Sequence, residues 1–282
     1  MIAAFDLYDG KYKRDEVEEA VALQKEITSH LIKILEDLAA DPEEYLDADH
    51  FANTYAVTLL AHFQEPAAHL PIIKAFLVSD DYLDDLWGDM VTGTLPALLV
   101  QTCNGSLDEI KKLVLNQDAY EFVRGSAVEA MTFAVARGVV ERQEVLDFLT
   151  GLFTGEEAEE DGYFWSNVAA CIADIHPEGA MEVIRDAYAR GLIFEGYVGL
   201  EEIERDNKKT VEEVLDDLRQ KTDLRIPADV HGHLSWFACF NEERDAPRPL
   251  PFFDDKKVRK KKKTAKRSKK KMAKKSRKKN RK

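Results

Sequence analysis

His231 and His233 are spaced as H-x-H, with Asp229 two residues ahead. Two imidazoles and a carboxylate could begin a divalent-metal site. Such a site needs a third fixed ligand and groups behind it that orient the first. The sequence supplies neither, so the pair reads as surface-loop residues. His50, His62 and His69 lack an H-E-x-x-H spacing and read as ordinary helix histidines. Cys103, Cys171 and Cys239 are isolated, with no C-x-x-C among them, which suits buried, reduced thiols in a reducing cytosol. Adjacent carboxylates recur at Asp80-Asp81, Asp84-Asp85 and Glu156-Glu157. In a chain with 53 acids such pairs arise by composition. No G-x-x-x-x-G-K-[ST], G-x-G-x-x-G or G-x-S-x-G occurs, so nucleotide and acyl-transfer chemistry lack a motif. No catalytic residue, metal or cofactor is assigned, and the chain is expected not to be an enzyme.

One segment differs in kind. Residues 256–282 hold 19 Lys or Arg and no Asp or Glu. The preceding 255 residues hold 21 bases against 53 acids, a formal charge of −32. The overall −13 describes neither part. A like-charged block of this length cannot collapse on itself and is expected to be a disordered interaction arm. The residues assigned to polyanion binding are Arg259, Lys260, Lys261, Lys262, Lys263, Lys266, Arg267, Lys269, Lys270, Lys271, Lys274, Lys275, Arg277, Lys278, Lys279 and Arg281. Only Ala, Ser, Thr, Asn, Val and Met separate them. Without aromatic groups the arm cannot stack on single-stranded bases. Its affinity would come from phosphate neutralisation and counterion release, without sequence preference. The expected partner is nucleic acid or ribonucleoprotein. Three other readings stay open. The arm could fold back on the acidic body, serve as a targeting signal, or touch anionic lipid with Phe252 and Phe253 as a small apolar wedge.

The acidic body must be held together by helices. Ile27, Leu31, Ile34, Leu35 and Leu38 fall on one helical stripe, as do Val145, Leu146, Phe148, Leu149 and Leu152, and Val211, Val214, Leu215 and Leu218. Start signals are Asp41 with Pro42 and Glu44, Ser106 with Glu109, and Thr210 with Glu213. Helices pair as 50–63 with 68–78, 86–101 with 106–115, 120–137 with 142–153, and 163–174 with 178–189. Leu70, Leu107, Val145 and Ala180 take comparable places in the second helices, at spacings of 37, 38 and 35. Such a period is that of helical hairpins, which bury their apolar faces by stacking and form an extended concave surface. A helix near 15–40 is expected to cap one end and residues 199–220 the other. Trp165 reads as core. Trp236, beside Phe237 and Phe240, would pack the following segment back onto the stack. Arg124 is expected to pair with an acidic neighbour, Asp118 or Glu121.

The stretch 120–138, with Val123, Arg124, Ala127 and Ala130 and small residues facing the neighbouring helix, resembles a HEAT-like repeat helix. With Arg185 to Glu204 it resembles an uncharacterised bacterial family of HEAT-like helical proteins, over roughly residues 10–220. Some members end in a SEC-C motif, a short Cys-rich zinc module. No cysteine follows Cys239, and the basic run stands in the module's place, so zinc is not carried over.

The expected organisation is an all-α, HEAT-like solenoid over 1–246, a Pro-rich linker over 247–255 and a disordered basic tail over 256–282. Met1 to Gly10, with Asp6 and Asp9, lacks the pattern of a signal peptide, and no apolar run is long enough to span a membrane. A cytoplasmic adaptor is expected, joining an unidentified protein to nucleic acid, with no integral membrane association. A peripheral membrane adaptor and an enzyme with an unrecognised site are the alternatives. Elemental analysis of purified protein should find no stoichiometric zinc; about one zinc per chain would overturn the ligand argument.

Overall fold

A computed structural model describes residues 2–240 apart from 7, 47–49, 159–162, 227, 236 and 238–239. The linker 247–255 and the basic run 256–282 lie outside the described residues. The fold is all-α, and no strand occurs among the described residues. In chain order the helices are α1 (Ile2–Asp6), α2 (Arg14–Ala22), α3 (Gln24–Ala40), α4 (Ala52–His62), α5 (His69–Phe76), α6 (Asp80–Leu86), α7 (Met90–Gly93), α8 (Leu95–Thr102), α9 (Asp108–Leu115), α10 (Glu121–Ala136), α11 (Arg142–Thr150), α12 (Tyr163–Asp174), α13 (Met181–Ala189), α14 (Leu200–Asp206), α15 (Val211–Arg225) and α16 (Val230–Leu234).

Two kinds of helix alternate. In α9 only Ile110, Leu113 and Val114 are buried, an amphipathic stripe that needs one neighbour. In α4 every residue from Ala52 to Ala61 is buried, and in α10 Val123 to Val128 and Ala130 to Val135 are. Helices apolar on all sides must be covered on all sides. Accordingly α4, α8, α10 and α12 stack side by side as the inner row, with α8 and α12 flanking α10. On one side lie α3 and α5 at the first end, then α9 and α11 against α10.

Hydrogen bonds between neighbouring hairpins recur at sequence separations of 33 to 40. Asn53 donates to Leu86 O, Ser126 to Val91 O, Gln101 to Ala61 O and Arg142 to Ile175 O. Arg190, at the end of α13, reaches back 37 residues to Phe153 O. The register of the first pair differs: Leu70 is exposed, while Leu107, Val145 and Ala180 are buried. The 3-10 turn Pro66–Ala68 shifts α5 so that Ile72, Ile73 and Phe76 face inward.

Two expected long helices are broken. The helix near 15–40 divides at Leu23 into α2 and α3. The span 86–101 divides into α7 and α8. Gly88, at φ +47, turns the chain out of α6, and Pro96 restarts a helix at its first turn, where a missing amide costs nothing. Asp41 ends α3 and leads only into the 3-10 turn Glu44–Leu46. Thr210 and Glu213 do form the full capping box that opens α15.

The largest departure is at the end of the body. Instead of capping only the last pair, α15 lies along α10 and α12, and α16 packs on α4. Among the described residues α4, α10 and α12 of the inner row are therefore covered on a second side by the chain itself. Arg225 fastens the return. Its Nε donates to Gly93 O at 3.0 Å and its Nη2 to Thr92 O at 2.7 Å. Its Nη1 lies 3.5 Å from Glu129 of α10, and the guanidinium sits 5.7 Å from the Phe133 ring centre. Further along, Tyr12 and His231 share a hydrogen bond of 2.6 Å, and Phe240 enters a cluster of Tyr8, Tyr12, Phe51 and Tyr55. Phe240 thus packs the end of the body onto its beginning; Trp236 lies outside the described residues.

Arg225→Ala should lower unfolding stability by about 2 kcal/mol in urea titration, since two carbonyls lose charge-assisted donors and Glu129 loses its counter-charge. Lys221→Ala, which removes only a surface pair with Asp174, should cost no more than about 1 kcal/mol. Equal effects of the two would deny Arg225 its fastening role.

Candidate interaction surface

The sixteen basic residues assigned to polyanion binding, Arg259 to Arg281, lie outside the described residues, as does Cys239. The remaining sequence candidates can be placed. Cys103 and Cys171 are buried free thiols. His231 and His233 sit on α16, not in a loop. His231 meets Tyr12, with Glu18 3.8 Å from its other nitrogen. His233 lines a cavity of about 20 Å³ with His62, Gln101, Thr58, Thr94 and Arg225, room for about one water. Among the described residues no group of three or more His, Cys, Asp or Glu is placed to hold a metal.

The histidines facing inward are held neutral. Burial lowers the pKa of His62, His69 and His233 below the ordinary 6.5. Thr102 Oγ1 donates to Leu98 O, so it accepts from His69 Nδ1–H at 2.9 Å. His69 Nε2 then carries a buried lone pair with no partner among the described residues.

Arg124 is structural, as expected, but its partners are not carboxylates. Nε donates to Val114 O at 2.9 Å and Nη2 to Glu157 O at 2.8 Å, and the guanidinium lies 4.0 Å from the Phe164 ring centre. Glu157 anchors the same region. Burial pushes its carboxyl up, but bonds from Thr154, the Gly155 amide and Trp165 Nε1 outweigh this and hold it below the usual range. Trp165 and Trp87 both spend their indole N–H on backbone, at Leu152 O and Ala75 O. Neither is free to anchor a partner.

One exposed cleft lies beside the start of α10. Asp80 and Asp84, one helical turn apart on α6, share a cleft of about 380 Å³ with Asp89, which follows the Gly88 turn. Leu83 and Val91 are buried beneath it, and Tyr120 and Phe122 form the opposite wall. From there an aromatic row continues. Tyr120 and Phe122 are 5.2 Å apart, Phe122 stacks on Tyr163 at 4.5 Å, and Tyr163 meets Tyr197 edge-on at 5.3 Å. The row depends on Gly125. A Cβ there would stand 2.5 Å from Tyr163 Cε1, so only glycine lets α12 bring this ring against α10. Tyr197, the last of the row, is 47% exposed, and Phe194 beyond it is 67% exposed. Composition alone accounts for adjacent carboxylates in so acidic a sequence and does not single out this cluster. Asp80 and Asp84 at i and i+4, with Tyr120 and Phe122 opening the next hairpin, were the signal available.

The sequence matches, over residues 1–241, a family described as "Protein of unknown function (DUF1186)". The chain belongs to that family. Similar proteins, each named only "Uncharacterized protein", occur in Chlamydia trachomatis serovar D and Chlamydia muridarum strain MoPn/Nigg. Each is 25% identical over 221 residues, 77% of this chain and 88% of the relative. No solved structure matches the chain. The family match covers the helical body and stops short of the basic run. Its description mentions neither HEAT-like repeats nor a SEC-C module. Among the described residues no helix is long and apolar enough to cross a membrane.

The buried histidines set a pH dependence. With folded pKa values below 6.5, the unfolded chain takes up protons that the folded chain refuses. Their contribution is complete above pH 6.5 and is lost as pH falls through that value toward the folded pKa values. Urea unfolding should show stability falling from pH 7.5 to 5.5, with a smaller fall in His69→Gln. A wild type as stable at pH 5.5 as at 7.5 would contradict the neutral assignment.

Proposed function

We propose that the chain is a non-enzymatic cytoplasmic adaptor: the acidic helical body holds a protein partner, and the basic run 256–282 holds nucleic acid or a ribonucleoprotein without sequence preference. The observation that carries the reading is the partition of charge, −32 over residues 1–255 against +19 over 256–282. A body so negative repels phosphate, which leaves the run as the polyanion contact. The burial of His69, Cys103, Cys171, Trp87 and Trp165 argues in the same direction, because these residues are used in packing. Because α15 and α16 occupy the second side of the inner row, a protein partner is assigned to the exposed ends of the inner helices. A HEAT-like kinship of the stacked hairpins belongs to the same proposal.

The test is duplex binding by full-length protein and by protein lacking 256–282. If about 6–10 basic residues engage phosphates, log K should fall against log salt with a slope of roughly −5 to −9, and the deletion should abolish binding. Replacing Lys260 to Lys263 and Lys269 to Lys271 by Ala should weaken binding alike for unrelated sequences and flatten the slope by several units. Binding that survives the deletion, or that ignores salt, would refute the proposal.

A further inference from the structure

Asp80, Asp84 and Asp89 stand together without compensation. Like charges at i and i+4 on a helix repel. Some surface acids elsewhere are paired, as Asp186 is with Arg190 and Glu204 with Arg185. Among the described residues no Lys or Arg comes within ion-pair distance of these three. Two of them are felt across the cleft: the Tyr120 phenol is held above its ordinary pKa by burial and then by Glu121, Asp80 and Asp84.

The opposite wall supplies the complementary chemistry. A ring face attracts a cation, and a guanidinium can stack on the ring while forking onto a carboxylate. Tyr120, 37% exposed, and Phe122 present rings to the same 380 Å³ space that the three carboxylates border. That volume suits one long cationic side chain with its apolar stem against Leu83 and Val91. A lone small cation would leave the aromatic row unused. The row runs on through Tyr163 to Tyr197, where apolar residues flanking the cation can lie.

We propose that the cleft between α6–α7 and the start of α10 is the docking site for an arginine-bearing extended segment of the protein partner, the guanidinium seated between Asp84, Asp89 and the Tyr120–Phe122 wall. The inference rests on the adaptor reading and names the partner's chemistry.

The probe is a fluorescein-labelled peptide of about nine residues, two of them arginine among leucine and alanine, beside a twin with citrulline for arginine. Both are titrated by anisotropy into full-length protein near 0.15 M salt. The arginine peptide should bind at least about tenfold tighter than its twin. Asp84→Asn/Asp89→Asn should lose about tenfold or more, and Tyr120→Leu/Phe122→Leu several-fold. Glu201→Gln/Glu202→Gln, which removes the same charge from α14, should change affinity less than about twofold. Thermal melts of the exposed Asp→Asn variants should match wild type, and single Asp84→Asn serves if the double variant does not fold. Equal losses from the two charge-matched doubles would reduce the effect to bulk attraction and overturn the site. So would equal binding of the twins, or no binding. Duplex affinity of the Asp84→Asn/Asp89→Asn protein should be unweakened, so failure of the cleft leaves the basic-run result standing. Loss of the basic-run result would in turn leave the peptide result to be judged alone.

Discussion

Two-sided burial of the inner helices is the constraint on which the rest depends. A helix such as α10, with the consecutive residues Val123 to Val128 and Ala130 to Val135 all buried, has no side that water can occupy. Packing α9 and α11 against it satisfies only part of its surface. In an open stack of hairpins the other part would face a groove. Here α15 fills that place with its own narrow stripe, Val214, Leu218 and Thr222, and keeps its acidic face outward. The docking is only partly hydrophobic. Arg225 contributes through backbone carbonyls that the ends of α7 leave open, because the last turn of a helix always has carbonyls without intrahelical partners.

The same constraint decides where chemistry can happen. Residues with reactive side chains are drawn inward and spent: Cys171 is buried, His69 is pinned by Thr102, Arg124 is shared between two carbonyls and a ring. Charged and aromatic groups that packing does not use include those of the cleft between α6–α7 and the start of α10.

Much of this was legible in the sequence, and the failures have identifiable causes. Stripes of period 3.6 located most helices, and the Thr210–Glu213 box opened α15 where expected. Gly88 and Pro96 split a long apolar span that hydrophobicity alone made continuous. Asp41-Pro42 resembled a helix start, yet the backbone there closes α3. The return of α15 was the main omission. Its stripe was visible, but a stripe names no partner. The all-round apolar character of α4 and α10 was the available clue that something must cover them twice. The basic run is the opposite case: its chemistry is read entirely from composition.

Stacked hairpins ordinarily behave as a one-dimensional array, in which each unit feels only its neighbours and the ends can fray alone. Arg225 reaches residues 132 and 133 positions earlier, and Tyr12 and His231 are 219 apart. Contacts of that span close a loop over nearly the whole body. Such loops are slow to form, because chain entropy is lost before the contact repays it. Short-range hairpin pairing can precede them, so closure by α15 and α16 belongs late in folding. Once made, it ties the first hairpin to the last, and the body opens as one cooperative unit instead of peeling from an end.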